Sequence, residues 1–306
     1  MCGTMKFELI SRRNFIAGGT AMLTTQLAAA LPSPPALTAG EVMQRIQSHV
    51  GMPWLSSTMP TTVDKLVSGD DSTPVRGIVT TTMATLDVLQ KTVAAGANMI
   101  VSHETPYYSQ PDKYDDLKND ANLTGKLEYI RSHGIAIMRL HDHWHHRTPD
   151  SIAAGMVSEM GWQKYVDPQE PRQFRFPGTP LKTFALEAAN RLHVTTARVV
   201  GDPEMLVRNV VAYWGNVTRE KGIATLARPD VDTLISGETH EWEVVEYIED
   251  QLTAGRRKAL ILLGHVATEQ GGMRYCAEWL RGFVPEVPVR FIPALNPFWS
   301  PYPRSC

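Results

Sequence analysis

A chain of 306 residues, 43% hydrophobic and 20% charged, is long enough to fold as one large or two modest domains around a substantial core. Its 30 Lys and Arg against 32 Asp and Glu leave a formal net charge of -2. No basic run appears in the body, which argues against nucleic-acid binding through a broad basic face, and no repeat or low-complexity tract points to a solenoid.

The chain opens with a targeting pattern. Ser11-Arg12-Arg13-Asn14-Phe15 is followed by an apolar stretch diluted by Gly18, Gly19, Thr20, Thr24, Thr25 and Gln26. No charge occurs after Arg13 until Glu41, and Ala28 to Ala30 supply a small-residue cleavage site. The stretch is a poor match to the run of about 20 mainly apolar residues that spans a membrane. It resembles a bacterial twin-arginine signal, which implies export of a folded protein to a periplasmic or secreted location. The export machinery is then one partner, and no stable membrane anchor is expected. Residues 1–30 are set apart as signal and 31–36 as a Pro-rich spacer. Loss of the signal removes Cys2 and leaves Cys276, inside an expected helix, and the terminal Cys306. An oxidising compartment would let these two pair, but nothing in their spacing demands it.

From residue 37 the pattern alternates. Thr38 to Glu41 has capping-box spacing and opens an amphipathic helix to about Val50. Residues 75–83 read as a strand, 85–96 as a helix closed by Gly96, and 97–104 as a short apolar run ending in polar residues. A helix over 120–133 leads to a strand over 134–143, and Pro149-Asp150 opens a further helix. The Pro-rich segment 165–180 reads as a boundary or hinge. Beyond it come a helix over 181–192, strands near 197–201, 209–214 and 231–236, and a helix over 237–255 with an acidic outer face. A buried strand over 258–265, a helix over 267–282 and a strand over 287–293 complete the chain. This alternation predicts an α/β fold of two lobes with mainly parallel mixed sheets. One lobe covers 37–168, a smaller one 169–230, and 231–306 returns to the first.

Three of these strands end in metal-type ligands. Strand 97–102 delivers His103 and Glu104, and strand 259–264 delivers His265 with Glu269 four residues on. Strand 134–140 delivers His141 at the head of "HDHWHH", which holds four of the ten histidines. The carboxyl ends of strands line the ligand crevice in open α/β sheets, so three such ends would gather imidazoles and carboxylates in one pocket between the lobes. His265 and Glu269 share i, i+4 spacing, as do His141 and His145. Imidazole suits Zn, Fe, Mn or Ni, and carboxylates add oxygen donors that can bridge two ions. The segment "HEWEV" at 240–244 lacks the second histidine of a single-zinc protease, and no Walker loop, dinucleotide fingerprint or nucleophile elbow is present.

These residues carry a resemblance. "GHVATEQGGMRYCAEWL" (264–280) is similar to the Gly-His-x-Ala/Ser-Thr/Ser-Glu signature of a dinuclear-metal family known as type 2 GTP cyclohydrolase I, or NGG-one-interacting-factor-three-like. "LDVLQKTVAAGANMIVSHETP" (86–106) and "ISGETHEW" (235–242) resemble two more of its segments, and the similarity runs from about Glu41 to Pro293. The chain departs from the pattern twice. Glu104 stands where the family has the second histidine of a His-His pair, and His145 stands where it has an aspartate. Together the changes exchange donor types, so the resemblance implies a site for two divalent ions on His103, Glu104, His145, His265 and Glu269. His141 matches a further family histidine and is a ligand or a proton carrier. Glu238 and His240 are candidates for acid–base work or for supporting the ligands, while His143 and His146 match no family position. Tyr107, Tyr108 and Trp242 are candidates for the pocket wall, as are Asp142 and Trp144, which could instead support the ligands. Two ions there would supply Lewis acidity and lower the pKa of water to about 7. The expectation is an exported dinuclear metal-dependent hydrolase that uses metal-activated hydroxide to cleave a C–N bond (amide or cyclic amide) or an ester bond of a small molecule. A non-catalytic metal-binding or assembly protein, and a phosphoesterase or GTP cyclohydrolase-like ring opening, are the alternatives. The resemblance also implies a homo-oligomer, commonly a toroidal hexamer.

Overall fold

The computed structural model describes residues 36–301, so the signal, all of the spacer but Ala36, and Cys306 lie outside the described residues. In chain order the elements are α1 (Ala39–His49), β1 (Lys65–Ser68), β2 (Ile78–Thr81), α2 (Leu86–Ala94), β3 (Met99–Ser102), α3 (Ala121–Ser132) and β4 (Ala136–Arg139). Next come α4 (Asp142–His146), α5 (Ser151–Met160), β5 (Gln173–Pro180), α6 (Leu181–Arg191), β6 (Arg198–Val200) and β7 (Leu206–Asn216). The last are α7 (Arg219–Ala227), β8 (Thr233–Glu238), α8 (Glu246–Thr253), β9 (Ala259–Leu262), α9 (Gln270–Arg281) and β10 (Val289–Phe291). The capping box forms as its spacing requires: Thr38 Oγ1 accepts from Glu41 N, and the Glu41 carboxylate accepts from Thr38 N.

Two five-stranded sheets result, as the alternation predicts. The first has the order β1-β4-β3-β2-β10 and is parallel except at the edge strand β1. The second has the order β5-β7-β8-β9-β6, with β7, β8 and β9 parallel and an antiparallel strand at each edge. Strands β2, β3, β4 and β9 are buried along their whole length, which explains why β3 and β9 read as short apolar runs rather than alternating ones.

Helices α5 and α9 pack on each other, with α9 lying on β2 and β10 and α5 against β7. Glycine makes their approach possible. A Cβ on Gly155 would overlap the backbone of Gly271 and Gly272, and one on Gly272 would overlap Ile152. One hydrogen bond ties α9 to the first sheet and another ties it to α4: Thr80 Oγ1 donates to Met273 O (2.7 Å) and Trp144 Nε1 to Gly272 O (3.2 Å). Trp144 is therefore core rather than pocket wall. Cys276 is buried in the same helix, and burial pushes its thiol pKa up. Among the described residues no helix is long and apolar enough to cross a membrane.

The expected lobe boundaries need correction. Residues 231–262 do not return to the first sheet: β8 and β9 pair with β7 in the second, and only β10 returns. A buried strand carries no mark of which sheet it joins, so the pattern could not decide this. The segment 165–180 is no simple hinge, because Gln173–Pro180 forms edge strand β5, where prolines are tolerated. The half-exposed β1 and the weakly amphipathic α7 carry no periodic signal that marks them in the sequence. The helix expected over 237–255 begins with a π-turn at Glu241–Val245, and the histidine-rich stretch forms α4 instead of extending β4.

Candidate metal centre

Five expected ligands and His141 meet at the carboxyl ends of strands from both sheets. His103 and Glu104 come directly after β3, His141 precedes α4, and His145 sits one turn later with its N–H on His141 O (3.0 Å). From the second sheet, β9 runs into Gly264 at φ +90°, a conformation that favours glycine, and turns the chain into His265. A single 3₁₀ turn then places Glu269 immediately before α9. His265 Nε2 lies 3.1 Å from Glu269 Oε2 and 3.3 Å from Glu104 Oε1. His103 Nε2 is 3.6 Å from Glu269 Oε2, His141 Nε2 is 3.8 Å from Glu104 Oε1, and His145 Nε2 is 3.9 Å from Glu269 Oε1. Two sets of three have donor atoms all within 4.8 Å of one another, namely His103 with His141 and His145, and His103 with Glu104 and Glu269.

All four rings share one orientation. Each turns Nδ1 outward to an oxygen: His103 to Leu140 O (3.1 Å), His141 to Asp142 Oδ1 (2.9 Å), His145 to Asp150 Oδ2 (3.2 Å) and His265 to Glu238 Oε1 (2.8 Å). The Nε2 atoms are left facing the carboxylates. His103 Nε2, His265 Nε2 and Glu269 Oε2 are buried there with no hydrogen-bond partner. Orphaned polar atoms at a single point, pairing imidazole nitrogen with carboxylate oxygen, fit divalent cations.

The charges agree. Burial alone would lower the His265 pKa, but the carboxylates of Glu104, Glu238 and Glu269 around it hold it up at about 12. Burial alone would raise Glu104, yet His265 and His103 hold it at about 2. Burial likewise opposes the charge on Glu269, and His103 and His265 keep it well below the carboxylate range.

Among the supports around these rings Asp142 is one the sequence offers, whereas Asp64 and Asp150 carry no sequence signal of their own. Buried Asp64 accepts the N–H groups of His141 (2.6 Å), Asp142 (3.0 Å) and His143 (2.8 Å), and His143 Nδ1 as well (2.7 Å). His143 Nε2 bonds Trp54 O (2.8 Å) and its ring stacks on Trp54 at 3.8 Å, so this fully buried histidine is a strut. Asp142 also accepts from Thr62 Oγ1 and Val63 N, and with the His141 bond this lowers its pKa. Asp150 caps α5 and takes Arg172 on the oxygen that meets His145. A lone Asp64 in a Thr/Ser/Pro-rich loop reads as a turn residue, and no spacing links it to His141. On the other sheet, a Cβ at Gly215 (φ +75°) would overlap the Glu269 carboxylate, and one at Gly237 would overlap Gly215 O and crowd His265 Cα.

The remaining candidates divide. Glu238, at the end of β8, lies behind His265 with its pKa lowered mainly by that hydrogen bond. It shares with His141, His265, His240 and Tyr108 the lining of a cavity of about 680 Å³. Tyr107 is buried with its hydroxyl on Val67 O, and exposed Trp242 stacks on His240 at 4.7 Å. His146 is turned away from the cluster and bonds Asp142 O.

Fold and site together define an α/β protein with two sheets whose strand ends enclose a histidine–carboxylate centre. The chain belongs to the Duf34/NIF3 (NGG1p interacting factor 3) family, whose model matches residues 62–297 and so spans every candidate ligand. No curated protein matches it. Solved structures do. A hypothetical protein of Staphylococcus aureus is 15% identical, with 87% of this chain and 100% of that one covered at a TM-score of 0.67. A Bacillus cereus protein related to NIF3 is 13% identical over 87% and 100%, also at 0.67. The protein ybgI, of unknown function, is 23% identical over 85% and 100% at 0.67. At these identities the likeness establishes a shared fold.

Proposed function

We propose that the chain is a dinuclear metal-dependent hydrolase of a small molecule, acting on an amide, cyclic amide or ester bond. The common orientation of four imidazoles carries this reading: each Nδ1 is tied to an oxygen and each Nε2 is turned to the carboxylates of Glu104 and Glu269. Bonds of this kind fix the tautomer and ring orientation of metal-ligating histidines. His103, His141, His145 and His265 with Glu104 and Glu269 would hold two divalent ions, which would supply Lewis acidity and activated water at neutral pH. His141 is assigned as a ligand rather than a free proton carrier, because Asp142 holds its outer nitrogen as the other rings are held. Glu238 orients His265 in the same way. His240 remains for proton transfer. Its Nδ1 is held by Glu243 (3.1 Å), which leaves Nε2 to pass a proton to the leaving group of a substrate in the cavity.

The same reading keeps the twin-arginine signal, with a periplasmic or secreted location, and a homo-oligomer. Its test is metal analysis joined to a substrate panel. The purified protein should carry two ions per chain, His265→Ala should lose metal, and loaded protein should turn over amides, lactams or esters. Full metal content in His265→Ala would overturn the site. Bound metal without turnover would favour a non-catalytic metal protein, and preference for phosphate esters would favour a phosphoesterase. Replacing Arg12 and Arg13 by Lys should trap precursor inside the cell, and normal export of that variant would remove the export reading.

A further inference from the structure

The two carboxylates of the centre have different neighbours. Glu269 turns both oxygens to imidazoles: Oε1 is 3.9 Å from His145 Nε2, and Oε2 is 3.1 Å from His265 Nε2 and 3.6 Å from His103 Nε2. Glu104 divides its oxygens. Its Oε1 is 3.3 Å from His265 Nε2 and 3.8 Å from His141 Nε2, while its Oε2 meets Arg139 Nη2 at 3.4 Å.

Arg139, the last residue of β4, is fully buried. A guanidinium stays charged in a protein interior, so burial here requires acceptors around it. Nη1 donates to Gln110 O (2.6 Å) and to Asp112 Oδ2 (3.1 Å), and Nη2 donates to Gln110 Oε1 (2.7 Å) and to Glu104 Oε2. Gln110 and Asp112 lie on the loop between β3 and α3, so they suffice to anchor that loop on the buried cation. The contact with Glu104 is the one that loop anchoring does not need, and it falls on a ligand of the proposed centre.

This contact has a chemical consequence. A carboxylate can meet a cation through one oxygen or through both. A fixed positive charge beside one oxygen of a mostly buried Glu104 holds that oxygen and leaves the other as a single donor. Arg139 has no acceptor of its own and cannot bind an ion. Lysine is a poor substitute, since a flexible ammonium lacks the planar fork that serves Gln110 and Glu104 from one nitrogen while the other serves Asp112.

We infer that Arg139 is a positioning residue that holds Glu104 Oε2 and so restricts Glu104 to binding a cation through Oε1 alone. The inference rests on the metal centre of the proposed function and not on turnover. The test is a double-mutant cycle on cobalt-loaded full-length protein, read by chelator competition and by visible absorption, which reports the coordination number of the ion. Arg139→Lys should bind cobalt about tenfold more weakly than wild type, the low end for loss of a partner behind a ligand. Its visible band should also weaken, as the freed carboxylate adds a second oxygen to the ion. In a Glu104→Ala background the same substitution should change neither reading. Thermal melting checks that each variant is folded, and a crystal structure of cobalt-loaded wild type needs no variant at all: it should show Glu104 Oε1 on an ion and Oε2 on Arg139.

Glu104 Oε2 on an ion overturns the inference, as does folded Arg139→Lys that matches wild type in affinity and spectrum. Equal losses in both backgrounds also overturn it, because they mark Arg139 as a loop anchor only. Wild type that takes no cobalt at this centre removes the centre and the inference together. Cobalt held through Oε1 alone, without turnover of any amide or ester, upholds the inference and defeats the hydrolase reading.

Discussion

The two halves of the centre are built by different means. The first sheet supplies His103, Glu104, His141 and His145, and their positions are set by oxygen atoms: Asp64 gathers three backbone N–H groups around His141, while Asp142 and Asp150 hold two rings from behind. The second sheet supplies His265 and Glu269, and there glycine sets the position, since Gly215 and Gly237 let the ends of β7 and β8 come close to both ligands. The first half is held by hydrogen bonds, and the second by missing side chains together with the hydrogen bond from His265 to Glu238. The first should therefore tolerate isosteric change at a cost in precision, whereas the second should fail on the addition of a single methyl group.

The largest expected effect is on the residue common to both donor sets. His103→Ala should take metal content from two ions per chain to nearly none, read by elemental analysis of folded protein. Gly237→Ala comes next, because its Cβ meets backbone that cannot move freely. It should destabilise the fold by about 1–3 kcal/mol in denaturant titration and lose metal in parallel. Asp64→Asn should fold but present an NH₂ to donors that need an acceptor, and bind metal about 10- to 100-fold more weakly in competition with a chelator. Equal metal affinity in Asp64→Asn and wild type would end the claim that hydrogen bonds set the first half.

A smaller effect lies outside the centre. Burial pushes the Lys126 ammonium down from 10.5 to about 8. Below pH 8 the group is charged in both folded and unfolded chains, so folding bears the cost of burying the charge; as pH rises from 8 toward 10.5 the folded chain has already shed its proton and that cost is relieved. The stability of wild type relative to Lys126→Met should rise across this window, by no more than roughly 3 kcal/mol. A pH-independent difference between the two would contradict the burial argument.

Much of the site is legible in the sequence because strands buried on both faces read as apolar runs, and polar residues at the ends of such runs stand out. His103, Glu104, His141 and His265 are marked in that way, and His145 and Glu269 by their spacing from them. Asp142 apart, the supports are not legible. Asp64 acts across 77 residues on backbone groups, and nothing local marks a loop carboxylate as an acceptor for a distant turn. Gly237 looks like any glycine near a strand end until the backbone of Gly215 is seen against it. The membership of β8 and β9 in the second sheet is hidden for a related reason, since hydrophobicity records burial and not partnership.

The most direct measurement is anomalous scattering from crystals of the metal-loaded protein. The account predicts two peaks per chain, bounded by Nε2 of His103, His141, His145 and His265 and by the carboxylates of Glu104 and Glu269, with every Nδ1 still on its oxygen. Metal bound elsewhere, or imidazoles rotated so that Nδ1 faces inward, would contradict it.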